Sequence, residues 1–269
     1  HDYRQSNSYS PPEDNLPLEN PATYCDDNDD NREGDVGDRF KNSTDEDDRD
    51  TWQCYTRLGL MQESVTNLVD TLTGLPINIG LMRFNRISGD DEGGTIIDAV
   101  SNIDTNTDFT TKLNALTASG ATPLSEVLYE AYLYYKGGAI DNGLSGSEAS
   151  STDSSAKNSS NYDSPIESSC QTNNIVFLSD GAPSNDGDRD TQILDLSTAT
   201  DCGAVGGEGK CLDEIAGVMA TTDMSSSVNE INKVNTYTIG LDIDLPILGE
   251  TAAAGNGQYH QANGTTGLE

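Results

Sequence analysis

The feature that most narrows the fold is an alternation. Short apolar runs of strand length recur along the chain, and between them lie stretches whose apolar residues are spaced as on a helix. The clearest run is Ile175 to Leu178, which breaks off at Ser179, Asp180 and Gly181. PINIGLMRFN (76–85), GGTIIDAV (93–100), VNTYTIGL (234–241) and QYHQA (258–262) read as further strands. Leu58, Met61, Val65, Leu68, Val69 and Leu72 mark an amphipathic helix that Gly74 stops. A short helix is expected around Asp108 to Leu116. Pro123 opens another, which carries Leu124, Val127, Leu128, Ala131 and Tyr135 on one face. CLDEIAGVMATTD (211–223) and LPILGETAAAG (245–255) complete the helical set.

Strands alternating with helices imply right-handed crossovers. The expected fold is therefore α/β: a doubly wound, mostly parallel central sheet with helices on both faces. In such sheets ligands gather at the carboxyl ends of the strands, where Asp180 falls.

The rest of the chain is wet. Residues 1–51 are polar and acidic, with no periodic apolar pattern, and read as a loop-rich N-terminal segment. Residues 52–269 form the domain proper. Within it, 137–169 collapse to Ser, Gly, Asn and Asp and read as an insertion loop. The formal charge of -32, from 46 acids against 14 bases, repels phosphate backbones and anionic headgroups, so nucleic acid and membrane insertion are not expected. Divalent cations are the natural partners of such a surface. No run reaches the roughly 20 apolar residues that span a bilayer.

None of the five cysteines stands in a CxxC pair, which argues for disulfides over a zinc site. Cys202 and Cys211 flank a Gly-rich segment that lets their sulfurs meet, and Cys25 with Cys54 would bracket the acidic stretch between them. Cys170 is left over. Disulfides imply export to an oxidising compartment. No enzyme is expected, because only His1 and His260 are candidate neutral-pH bases and neither is framed by a nucleophile motif. Tyr129, Tyr132, Tyr134 and Tyr135 read as core by their helical spacing. Asn42, Asn158 and Asn263 fit N-x-Ser/Thr sequons of the kind that Ser-rich chains produce by chance.

A Gly-x-Thr-Pro turn before a helix, followed by an apolar strand ending in Ser-Asp-Gly, resembles the von Willebrand factor A (vWA) domain. In that family a cation-dependent adhesion site is built from a DxSxS motif, a later Thr and a later Asp. Thr122 matches the Thr and Asp180 the Asp. The resemblance implies Mg²⁺ or Ca²⁺ held by oxygen ligands, with one position open for an acidic group of a partner. The DxSxS motif is absent from its place, and the first strand that carries it is expected upstream of His1. DMSSS, with Asp223, Ser225 and Ser227, fits the pattern literally but follows no apolar strand, and is set aside.

SNSYSPP, SPIESSCQTNNIVFLSDGAPSND, CLDEIAGVMATTDMS, TYTIGLDI and ETAAAGNGQYHQA are similar to segments of the type IV pilus tip adhesin and assembly family of the PilC/PilY type. This implies an extracellular protein-binding module at the cell surface or pilus tip, with a host surface, another pilus subunit or a second copy as ligand. The competing expectation is a structural surface or filament component whose metal site is non-functional. A chelatase or ATPase-associated vWA subunit, which works inside cells, is disfavoured by disulfides. Asp186, Asp188 and Asp190, and Asp27, Asp29 and Asn31, resemble the start of calcium loops, but neither run carries the Gly and terminal Glu of an EF-hand. Both are expected to be solvated acidic loops, with secondary calcium binding as the alternative.

Overall fold

A computed structural model of the chain describes residues 57–85, 93–141, 152–199, 202, 211–225 and 227–262. Cys25, Cys54, Asp27, Asp29, Asn31, Asn42 and Asn263 lie outside these residues. The chain divides into two compact units, His1–Asp70 and Thr71–Glu269. The described part of the first is most of helix α1 (Arg57–Leu72), in which Gly59, Gln62 and Val69 are buried and Thr66 Oγ1 donates to the Gln62 carbonyl at 2.7 Å. Leu68, placed by its spacing on the apolar stripe, is exposed.

The second unit opens with β1 (Asn78–Phe84) and β2 (Gly94–Asn102), an antiparallel pair with register shifts between Ile79 and Met82. Gly94 faces the Arg83 carbonyl at 2.8 Å from where a Cβ would stand, so this end of the pair has no room for a side chain. Helices α2 (Phe109–Asn114) and α3 (Leu124–Lys136) follow. Gly137, at φ 63°, ends α3 with its amide on the Tyr134 carbonyl, the left-handed stop that glycine takes without a Cβ penalty.

Strands β5 (Asn173–Ser179), β6 (Val234–Leu241) and β7 (Tyr259–Ala262) form a parallel sheet in that order. Between them run α4 (Asp190–Leu196), α5 (Leu212–Thr221) and α6 (Pro246–Ala254), the last opened by its proline. One alternate set of sheet residues, including Ile175, Phe177, Val234 and Tyr259, packs into the main core with Leu124, Leu128, Ile215, Met219 and Leu248 of the helices. The other set carries Val176, 57 % exposed, with Tyr237 and Ile239 half-buried beside it. Met82 and Phe84 of β1 reach the same core, where Phe84 meets Phe177 edge-on at 6.1 Å between ring centroids.

The Ser-rich insertion is more ordered than its composition suggests. A 3-10 turn (Ser154–Ala156) leads into a hairpin of β3 (Lys157–Asn158) and β4 (Asn161–Tyr162). Ala156 and Tyr162 are buried with Ile96, Tyr134 and Ile140 in a second core. A few apolar residues, anchored by the Tyr162 hydroxyl on Glu130 Oε1 at 2.7 Å, are enough to dock a polar segment. Tyr134 and Tyr135 are buried as the helical spacing predicts, while Tyr129 and Tyr132 stack half-buried at 5.9 Å. Among the described residues no helix is long and apolar enough to cross a membrane.

Candidate functional site

The candidate site lies at the carboxyl rim of the parallel strands. At the end of β5 the Ser179 hydroxyl donates to the Gly181 carbonyl at 2.9 Å, which turns the chain sharply and leaves Asp180 exposed at the rim. Thr122 sits in the turn before α3. It forms an isolated antiparallel bridge with Ser184: the Thr122 amide donates to Ser184 Oγ at 3.0 Å, and the Ser184 amide to the Thr122 carbonyl at 3.1 Å. Thr122 Oγ1 lies 3.6 Å from where a Cβ on Gly181 would stand. The fold thus sets Thr122 against the Asp180–Gly181 step, although 58 residues separate Thr122 from Asp180 (180 minus 122). Asp242 and Asp244 follow the parallel neighbour β6 and belong to the same end, where the Tyr259 hydroxyl donates to Asp244 Oδ1 at 3.2 Å.

Behind this rim is a buried acidic layer: Asp186, expected from the sequence in a solvated loop, is turned inward, and Glu126, which the sequence reading does not single out, lies beside it. Asp186, 3 % exposed, accepts the Ser125 hydroxyl at 2.6 Å, the Ser125 amide at 3.0 Å and the Glu126 amide at 3.2 Å. It therefore caps α3 from a distant loop, in place of the local side chain that Pro123 cannot supply. Glu126, 1 % exposed, accepts the amides of Gly93, Asp188 and Gly187 at 2.9, 2.9 and 3.3 Å. Burial holds both carboxyls above their ordinary range, and the hydrogen bonds from Ser125 to Asp186 and from Asp188 to Glu126 oppose it. The signal available in the sequence was Glu126 and Glu130 interleaved with the apolar Leu124, Val127, Leu128 and Ala131 of one helix.

The Asp186, Asp188 and Asp190 run is dispersed. Asp186 turns onto α3, Asp188 is exposed, and Asp190 opens α4. Among the described residues, the set of three ligand atoms from His, Cys, Asp or Glu that lie within 4.8 Å of one another is that of Asp190, Cys202 and Cys211. The two sulfurs of that set are joined: Cys202 and Cys211 form a disulfide with a Cα–Cα distance of 4.7 Å. Cys170 is free and exposed. The DMSSS segment precedes β6, at the opposite end of the sheet from Asp180. Its Asp223 accepts the Asn232 amide at 3.0 Å and the Ser225 amide at 3.1 Å, which knits its own loop and lowers its pKa.

Residues 36–241 match the family model described as PilY1 homolog, second domain. The chain belongs to this PilY1-related family. The match covers most of the chain, including the Thr122 turn, β5 and the Asp180 rim, and it makes the protein a type IV pilus-associated one. No curated protein matches the chain.

Proposed function

We propose that this PilY1-related chain is an extracellular, non-enzymatic vWA-type module that binds a protein or host-surface ligand through a divalent cation at the carboxyl rim. The observation that carries the reading is the placement of Thr122 Oγ1 beside the Asp180–Gly181 step. A hydroxyl and a carboxylate are hard oxygen donors of the kind Mg²⁺ and Ca²⁺ take, and Asp180 is exposed where a partner's acidic group has access. When bound, the ion supplies a bridge between two anionic surfaces. Thr122 and Asp180 would hold it, and the Ser184 bridge and the Asp186 cap fix the two segments that carry them.

The doubly wound sheet belongs to the same proposal. β1 pairs only with β2, and β5 only with β6, so each strand keeps one edge unpaired among the described residues. The Phe84–Phe177 contact brings these two strands into one core. One further strand between them would join the two sheets into one and bring its own carboxyl end to the rim of Asp180. Such a strand would come from outside the described residues. The competing reading, a structural filament component with a non-functional metal site, draws on the dispersal of the other acidic residues.

Calorimetry with Mg²⁺, Mn²⁺ and Ca²⁺ separates the two. The expected result is binding in the wild-type protein and its loss in Thr122→Ala and Asp180→Ala. Equal heats in wild type and variants, or no heat with any ion, would leave the structural reading standing.

A further inference from the structure

Lys112 on α2 stands between two carboxylates from separate elements. Its Nζ is 2.5 Å from Oδ1 of Asp98 in the middle of β2, and 2.8 Å from Oδ2 of Asp153 at the 3-10 turn of the insertion. The Asp98 side chain is 5 % exposed and that of Asp153 14 %. The second oxygen of Asp98, Oδ2, accepts Asn106 Nδ2 at 2.6 Å. Asp153 is held in turn by the amides of Ser155 at 2.8 Å and Ala99 at 3.3 Å. An ordinary ion pair needs one amine and one carboxylate. Here an amine touches a buried carboxyl, a second carboxylate touches the same amine, and an amide N–H marks one acceptor oxygen while leaving the other beside the amine.

We propose that this cluster is a modification site, at which Lys112 and Asp98 condense to an intramolecular isopeptide bond with Asp153 as the proton carrier. Asp153 takes a proton from the Lys112 ammonium, and the freed amine attacks Cγ of Asp98. Asn106 Nδ2 stabilises the charge that builds on Oδ2. Asp153 then returns its proton to Oδ1 and relays a second from the attacking nitrogen to the same oxygen. The Nζ–Cγ bond forms, the Cγ–Oδ1 bond breaks, and water leaves with two of the three ammonium protons while the third stays on the amide. An ammonium and a carboxylate become one amide and one water, Asp153 ends as the carboxylate it began as, and no oxidant or activating group is required. Condensation from water is opposed by solvent, to which the Lys112 side chain is 31 % exposed, but well-oriented intramolecular reactions reach effective molarities on the order of 10⁵–10⁸ M. The product would lock β2 to α2 covalently.

The test is the intact mass of the reduced, denatured wild-type chain, followed by a peptide map. The expected result is a chain one water lighter than its sequence, with a branched peptide joining Asp98 to Lys112. Asp153→Ala and Lys112→Arg are each expected to restore the full mass. A wild-type chain at full mass overturns the proposal, and needs no variant to fold. A water loss that maps elsewhere, such as a succinimide at Asp180–Gly181, overturns it equally. A branched peptide that persists in Asp153→Ala removes Asp153 from the step.

Discussion

The carboxylate of Asp186 closes on Ser125 through both its hydroxyl, at 2.6 Å, and its amide, at 3.0 Å, across 61 residues of sequence. One contact thus fixes both the start of α3 and the loop that descends from Asp180. Removing it leaves two buried helix amides without an acceptor. Asp186→Ala is therefore expected to cost roughly 1–3 kcal/mol, read as a lower urea midpoint at an unchanged slope. Asp186→Asn, which keeps an acceptor oxygen, is expected to cost less. Equal midpoints for Asp186→Ala and wild type would refute the capping role.

Glu126 makes the same region pH-dependent, with a definite sign. Burial holds its folded-state pKa above the ordinary 4.5, so the folded chain disfavours its ionised form. That penalty is fully present above the raised value and vanishes as the pH falls below 4.5. Acidification through this window is thus expected to stabilise the wild type relative to Glu126→Gln, which has no proton to take up. Urea midpoints measured across the window check it, and parallel profiles for the two proteins would count against it.

Gly257 lies in the turn that feeds β7, against Thr236 of β6. A Cβ there would overlap the carbonyl oxygen of Thr236 in β6, and one on Gly255 would stand 2.7 Å from the Thr236 Cβ. Backbone cannot yield as a flexible side chain can, so Gly257→Ala is expected to cost about 1–3 kcal/mol or more. Gly74→Ala is no substitute control, since Gly74 sits at φ 85°. Gly217→Ala is the better one, because its Cβ would meet only Ala254 at the ordinary distance of 3.8 Å. Thermal melts that rank the two variants alike would contradict the packing.

The disulfide gives the fourth expectation. Breaking Cys202–Cys211, which closes a loop with a sequence separation of 9, is expected to lower stability by roughly 2–4 kcal/mol. In the native, unreduced chain, alkylation is expected to label exposed Cys170 and to spare Cys202 and Cys211. A non-reduced digest in which Cys170 is joined to either of them would reassign the pairing.

Much of the element order was legible in the sequence, because it is set by local periodicity. The apolar run at 175–178 becomes β5, and the spacing of Leu124, Val127, Leu128, Ala131 and Tyr135 becomes the buried stripe of α3. The Gly-rich link between Cys202 and Cys211 likewise allowed their pairing to be read from sequence alone. Residues 137–169 read as loop in the sequence, because the apolar content of Ala156, Tyr162 and Ile166 is too sparse to register. The burial of Ala156 and Tyr162 rests on Glu130, Tyr134 and Ile96, and that of Ile166 on the main core, all supplied by other parts of the chain.

The acidic residues divide along the same line. In sequence Asp186, Asp188 and Asp190 form one acidic run, and nothing local tells one from another. Only the tertiary structure sends Asp186 inward to cap α3, sets the Thr122 turn against the Asp180–Gly181 step, and draws Asp98 and Asp153 onto Lys112. Periodicity is a property of neighbours in the chain, so the sequence by itself determined which segments became strands and helices. The part a charged side chain plays depends on the donors and the dielectric around it, and those are supplied by residues far away in the chain.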